Sequence, residues 1–131
     1  MTTRQDAFPK RSTGVSLVDG DSEVRHARQL MLRSEDYEVR SYPTASALLA
    51  DPRSREYLCI ILDIDMGGID GSGLLSAMRA SGWCGNAIIL DSSVAGSPLG
   101  REAGGNGDRV FNRNISDRAL IAAITDLPMR R

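Results

Sequence analysis

The stretch that most limits what this chain can become is Leu58-Cys59-Ile60-Ile61-Leu62, an unbroken apolar run that closes on Asp63. Gly67, Gly68 and Gly71 follow within the next few positions, so a buried helix has no room to form. A short, Ile-rich run closed by a polar, glycine-dense turn suits a strand covered on both faces of a parallel sheet. Covering both faces takes helices on each side, and hence a chain that alternates strands with helices. Asp63 then stands where the strand leaves the core, with Asp65 and Asp70 in the loop beyond. In open α/β sheets that rim is where ligands bind. A solvated turn with acidic caps is the plainer reading of the same residues.

The flanking sequence supplies the alternation. Val15 to Val18 is a short strand ending in Asp19-Gly20-Asp21. Ser22 is placed to cap a helix with Val24, Ala27, Leu30 and Met31 on its apolar stripe. Tyr37 to Tyr42 alternates as a second strand. Thr44 caps a helix through Ala45, Leu48 and Leu49, and Pro52 stops its continuation. After the central strand, Ser72 to Arg79 carries Leu74, Leu75 and Met78 on a helix. Ala87 to Leu90 is another buried strand, and it too ends in an acid, Asp91. The crossover from Ser92 to Gly107 holds Pro98 and five glycines, which confines any helix there to about Leu99 to Ala103, since each interior Gly costs roughly 1 kcal/mol and Pro about 3. Val110 and Phe111 mark a fifth strand. Ile115 and Ser116 then open a last helix with Leu120, Ile121 and Ile124 inside.

Composition narrows the function classes. At 131 residues the chain makes one domain, and its 41% apolar and 25% charged content is ordinary for a soluble globular protein. A net charge of −1 gives no electrostatic case for nucleic acid or membrane as a partner. No apolar run approaches a membrane span, and the polar start lacks a signal peptide's hydrophobic region. Cys59 in the buried strand and Cys84 in a loop show no metal-ligand spacing, which points to a reduced, cytoplasmic setting. Lys10 is the only lysine, and every basic residue after it is arginine.

The first, third and fourth strands all end in carboxylates: Asp19 and Asp21, Asp63 and Asp65, Asp91. If these strands are neighbours, the acids share one rim, where like charges repel unless a cation or an arginine joins them. Such a cluster marks a site rather than a device for stability.

At this point the chain resembles the receiver domain of bacterial response regulators. The opening acidic motif is matched by Val18-Asp19-Gly20-Asp21 with Arg25 on the following helix, and the second strand by Asp36-Tyr37-Glu38-Val39. The phosphoacceptor motif is matched by Leu62-Asp63-Ile64-Asp65-Met66-Gly67-Gly68-Ile69-Asp70-Gly71. The spacing from Asp19 through Asp63 and Asp91 to Arg113 fits as well. The resemblance implies a flavodoxin-like (βα)5 doubly wound parallel sheet of strand order 2-1-3-4-5 in a single domain. Its expected bounds are 14–127, with tails at 1–13 and 128–131; Arg130 and Arg131 read as a solvated end or as the edge of a longer regulator.

By the same resemblance, Asp63 is the phosphoacceptor that would take a phosphoryl group from a histidine kinase or phosphotransferase, as an acyl phosphate. A Mg²⁺ ion would be held by an acidic pocket of Asp19, Asp21, Asp63 and Asp65. The face made by the fourth helix, fifth strand and last helix would carry the output, and could serve a homodimer. Matched residue by residue, however, the machinery is degenerate. Gly20 stands in place of the second metal-binding acid and weakens the Mg²⁺ site. Among the switch positions, Asp91 replaces the Thr or Ser, Arg113 the Lys, Asn114 the following proline, and Val110 the switching aromatic, while Gly67 replaces the loop proline. Asp91 brings negative charge toward an anionic phosphoryl group, and Arg for Lys is not conservative at a bidentate site. A pair between Arg113 and Asp63, or Arg113 and Asp91, would hold the rim in one state without phosphate.

Three readings follow. The preferred one is an atypical receiver acting as a protein-binding signalling module with impaired or absent phosphorylation. The second is a conventional receiver phosphorylated on Asp63. The third, from Asp63-Ile64-Asp65, is an aspartate-nucleophile phosphatase, which would need a lysine that the body of the chain lacks. The first two make the protein a phosphoacceptor or binding module rather than a turnover enzyme. His26 reads as a surface residue, Trp83 as a core plug, and the glycines from Gly67 to Gly73 fit no phosphate loop.

Overall fold

A computed structural model describes residues 14–64, 71–92 and 107–127. Its strands are β1 (Gly14–Val18), β2 (Glu38–Tyr42), β3 (Cys59–Asp63), β4 (Asn86–Leu90) and β5 (Arg109–Phe111). They form one parallel sheet of order β2-β1-β3-β4-β5. The helices are α1 (Ser22–Ser34), α2 (Ala45–Ala50), α3 (Gly71–Ala80) and α4 (Asp117–Asp126), with a 3-10 turn at Pro52–Glu56. This is the doubly wound, flavodoxin-like arrangement. The crossover helix expected near Leu99 to Ala103, and Asp65, Gly67 and Asp70, lie outside the described residues.

Strand alternation divides the core in two. On β3, Ile60 and Leu62 face α2 and α3 with Val18, Leu74, Met78 and Ile89. Cys59 and Ile61 face the other way, with Val15, Leu17, Leu32, Leu90, Leu120 and Ile124 beneath α1 and α4. All five residues of β1, β3 and β4 are buried, which is why those strands read as continuous runs. Trp83 is buried as a core plug and its indole N–H donates to the Tyr57 carbonyl at 2.7 Å. The chain reaches it through Gly82, whose φ of +100° ends α3 in a conformation that suits glycine. His26 is exposed. Among the described residues no helix is long and apolar enough to cross a membrane.

Pro52 stands just beyond the end of α2 at Ala50, as expected, and also opens the 3-10 turn at the N-terminal position that proline tolerates. Two local expectations change. The cap of α1 is Asp21 rather than Ser22, its Oδ1 accepting from the Glu23 and Val24 amides. The inward stripe of α1 is also displaced. Ala27 is exposed and Leu30 is 53% exposed, while Val24, Arg25, Arg28, Met31 and Leu32 turn toward the sheet. That stripe keeps helical spacing, but two of its members are arginines because the first half of α1 passes over a charged rim instead of the apolar core.

Asp51 joins β2 to the turn that follows α2. It accepts the Tyr42 hydroxyl at 2.6 Å and the Arg53 amide at 3.0 Å. The Tyr42 hydrogen bond, then the Arg53 amide, holds its carboxyl below the ordinary 3.8, against a smaller opposing effect of burial. A carboxyl lowered by folding contributes stability that is present above its unfolded value and lost as pH falls through the folded one. Thermal melts should therefore show wild type losing Tm faster than Asp51→Asn between about pH 4 and pH 2. Parallel curves would show that this contact contributes nothing.

Candidate functional site

The register of the sheet builds the site. Val18 pairs with Leu62 and Asp63 pairs with Leu90, so Asp19, Asp63 and Asp91 leave three adjacent strands at the same end. The backbone ladder continues around them: the Asp19 amide donates to the Tyr42 carbonyl, that of Ile64 to Leu90, and that of Asp91 to Phe111. Asp19 and Asp63 are fully buried and Asp91 is 3% exposed.

Buried carboxylates at this density require cations, and two arginines supply them. The Nη1 of Arg28 lies 3.0 Å from Asp19 Oδ2 and 3.3 Å from Asp63 Oδ2, bridging the two acids. Arg113, beyond β5, directs both Nε (3.3 Å) and Nη2 (3.1 Å) at the same Asp63 Oδ2. Nη2 of Arg28 donates to the Arg113 carbonyl at 3.1 Å, which ties the two arginines to each other. Asp19 is fixed further by the Asp21 amide on its Oδ1 and by Arg25, whose Nη1 donates to its carbonyl at 2.8 Å. Burial raises the Asp19 carboxyl above its ordinary 3.8, and the charge of Asp63 adds to this. The Asp21 amide, Arg28 and Arg113 act in the opposite direction.

The residues singled out from the sequence are thus distributed unevenly. Asp19, Asp63 and Arg113 come together. Asp21 is close by, but its carboxylate is engaged as the cap of α1. Asp91 lies at the same rim. Val110 is half-buried against the α2–α3 side of the core, and Asn114 is exposed with its amide on Asn112 Oδ1. Asp65 is outside the described residues. Arg28 escaped the sequence reading. Its signal was present, since it falls four residues after Val24 and four before Leu32, on the stripe those two define. An apolar stripe phased on Leu30 concealed it.

A model of the response regulator receiver domain matches residues 15–124. The chain belongs to this family.

Among its relatives is the transcriptional regulatory protein FixJ of Azorhizobium caulinodans, 32% identical over 114 residues. That match covers 86% of this chain and 54% of FixJ, so the chain spans about half the length of that relative. The fold is shared with Vibrio cholerae CheY4 at a TM-score of 0.75 and 19% identity, over 88% of this chain and 98% of that one. TrrA of Thermotoga maritima, solved in complex with Mg²⁺ and BeF, matches at a TM-score of 0.71 and 21% identity, over 88% and 99% of the two chains. The protein is therefore the receiver domain of a two-component response regulator, a class of signalling module that interacts with histidine kinases or phosphotransferases.

Receivers commonly bind Mg²⁺ at the phosphorylation site. Gly20 offers no carboxylate, Asp21 is engaged as a cap, and the two facing oxygens of Asp19 and Asp63 already share the Arg28 guanidinium. No group of three or more His, Cys, Asp or Glu side chains among the described residues is arranged to hold a metal.

The contact between Arg113 and Asp63 is testable as an energy. Surface ion pairs contribute about 0–1 kcal/mol, whereas coupled groups in a buried network reach about 3. A double-mutant cycle of Asp63→Asn and Arg113→Gln, read by urea denaturation, should give a coupling above about 1 kcal/mol. Strict additivity of the two changes would mean that the contact is energetically idle.

Proposed function

We propose that this chain is an atypical receiver that works as a protein-binding signalling module, with phosphorylation of Asp63 impaired or absent. One observation carries the reading: a single oxygen of Asp63 accepts from Arg28 Nη1, Arg113 Nε and Arg113 Nη2. A nucleophilic carboxylate needs an exposed lone pair and an approach for the donor, and here three donors of the same molecule converge on one of its two oxygens and the side chain is fully buried. The substitutions around it act in the same direction. Asp91 has no hydroxyl to donate to a phosphoryl oxygen, and its charge repels one. Arg113 reaches Asp63 in the unmodified chain, so a rearrangement that elsewhere follows phosphorylation would already be made here. The partner is a histidine kinase, a phosphotransferase or another signalling protein, recognised by surface shape rather than by the phosphorylation state. A second copy of the chain docking on the face around β5 and α4 belongs to the same reading.

A conventional receiver is the second reading, favoured by the placement of Asp63 at the C-terminal end of β3, in line with the family's phosphoacceptor. The two readings separate in one experiment. The protein is incubated with Mg²⁺ and acetyl phosphate and its intact mass recorded beside that of Asp63→Asn, and amide spectra are collected with Mg²⁺ and beryllofluoride. The expected result is an unmodified mass in both proteins and unchanged amide positions in wild type. A phosphoryl adduct on wild type that is missing from Asp63→Asn would overturn the proposal in favour of the conventional receiver.

A further inference from the structure

We propose that Arg28 is a tethered cation: its guanidinium takes the position between Asp19 and Asp63 that a divalent metal ion would need, so the site is closed to metal by the chain itself. The inference deepens the reading of an atypical receiver and rests on it, but it concerns metal and can fail independently.

Four observations support it. Nη1 of Arg28 contacts one oxygen from each acid, at 3.0 and 3.3 Å, and a cation that linked the carboxylates through these two oxygens would have to displace it. The side chain is deeply set, at 13% exposure against fully buried carboxylates, so it is not a surface arginine resting over a pocket. Its second terminal nitrogen is used as well, on the Arg113 carbonyl at 3.1 Å, which orients the planar fork from both sides. Finally, α1 aims the residue by construction, because its turn places Val24, Arg28 and Leu32 on one inward stripe.

The chemistry of the two cations differs. Mg²⁺ asks for six oxygen ligands near 2.1 Å in octahedral array and keeps several waters. A guanidinium offers planar N–H donors at ordinary hydrogen-bond distance and is more weakly hydrated than a small cation. With Gly20 supplying no carboxylate, the described residues favour the guanidinium. Arg28 also carries one charge in place of two and is covalently attached, so no concentration of free ion governs its occupancy.

The test uses Mn²⁺ as a paramagnetic probe, with Mg²⁺ followed by thermal melts, on wild type, Arg28→Gln, Gly20→Asp and the double variant. Wild type and Gly20→Asp should show no site-specific broadening of the Asp19 and Ile64 amides at millimolar Mn²⁺, and no Mg²⁺-dependent rise in Tm. Arg28→Gln should gain both, and adding Gly20→Asp to it should tighten Mn²⁺ by about tenfold or more, the scale on which changes around a metal alter affinity. Specific broadening in wild type would overturn the proposal, as would a folded Arg28→Gln that binds no better than wild type. If Arg28→Gln does not fold, Gly20→Asp decides: broadening there with Arg28 in place refutes the idea, and its absence supports it. A phosphoryl adduct on a wild-type protein that binds no metal would overturn the function proposed above and leave this inference standing.

Discussion

Two carboxylates without solvent exposure, held by two guanidiniums, are the constraint on which this receiver turns. Asp19 and Asp63 are placed side by side by the parallel pairing of β1 with β3, and neither is exposed to solvent. Leaving such charges unpaired in a protein interior costs several kcal/mol, and removing one partner from a buried pair commonly costs about 3–5. Arg28 and Arg113 therefore serve the fold as much as the site. They reach it from opposite ends of the chain, one from the first helix and one from beyond the last strand. Closing the rim thus requires β1, β3, β5 and α1 to be in place together.

Under the proposed reading, the substitutions in the chain act together. An arginine between the acids supplies positive charge where Gly20 leaves one acid fewer. A guanidinium reaching Asp63 from beyond β5 adds a second positive charge to the same rim. The family resemblance locates these positions, and electrostatics accounts for what fills them.

The fold was legible in the sequence because its main strands are buried on both faces. Cys59 to Leu62 and Ala87 to Leu90 show no alternation, and that identified a parallel, doubly covered sheet; its strand order came with the family resemblance. Helix ends were nearly as clear, since Thr44 and Ser116 cap where the pattern put them. The pairing of Arg113 with Asp63 was one of two that the sequence offered, and coordinates were needed to show it. Arg28 was hidden for a definite reason. Hydrophobic phasing assumes that the inner face of a helix is apolar, and α1 breaks that rule where it crosses the charged rim. The cap of α1 was misplaced by one residue because Asp21 and Ser22 are equally good acceptors in sequence.

The short β5 has one more consequence. Its three residues make few ladder bonds, and the strand is anchored at its start by Asp108, which accepts the Ala87 amide at 2.8 Å and both terminal nitrogens of Arg79 at 2.7 and 3.0 Å. Its far end is moored instead through Arg113 to Asp63. The strand is thus clasped at one end by a structural acid and at the other by the acid of the site, so a change of charge at Asp63 is felt directly at the end of β5.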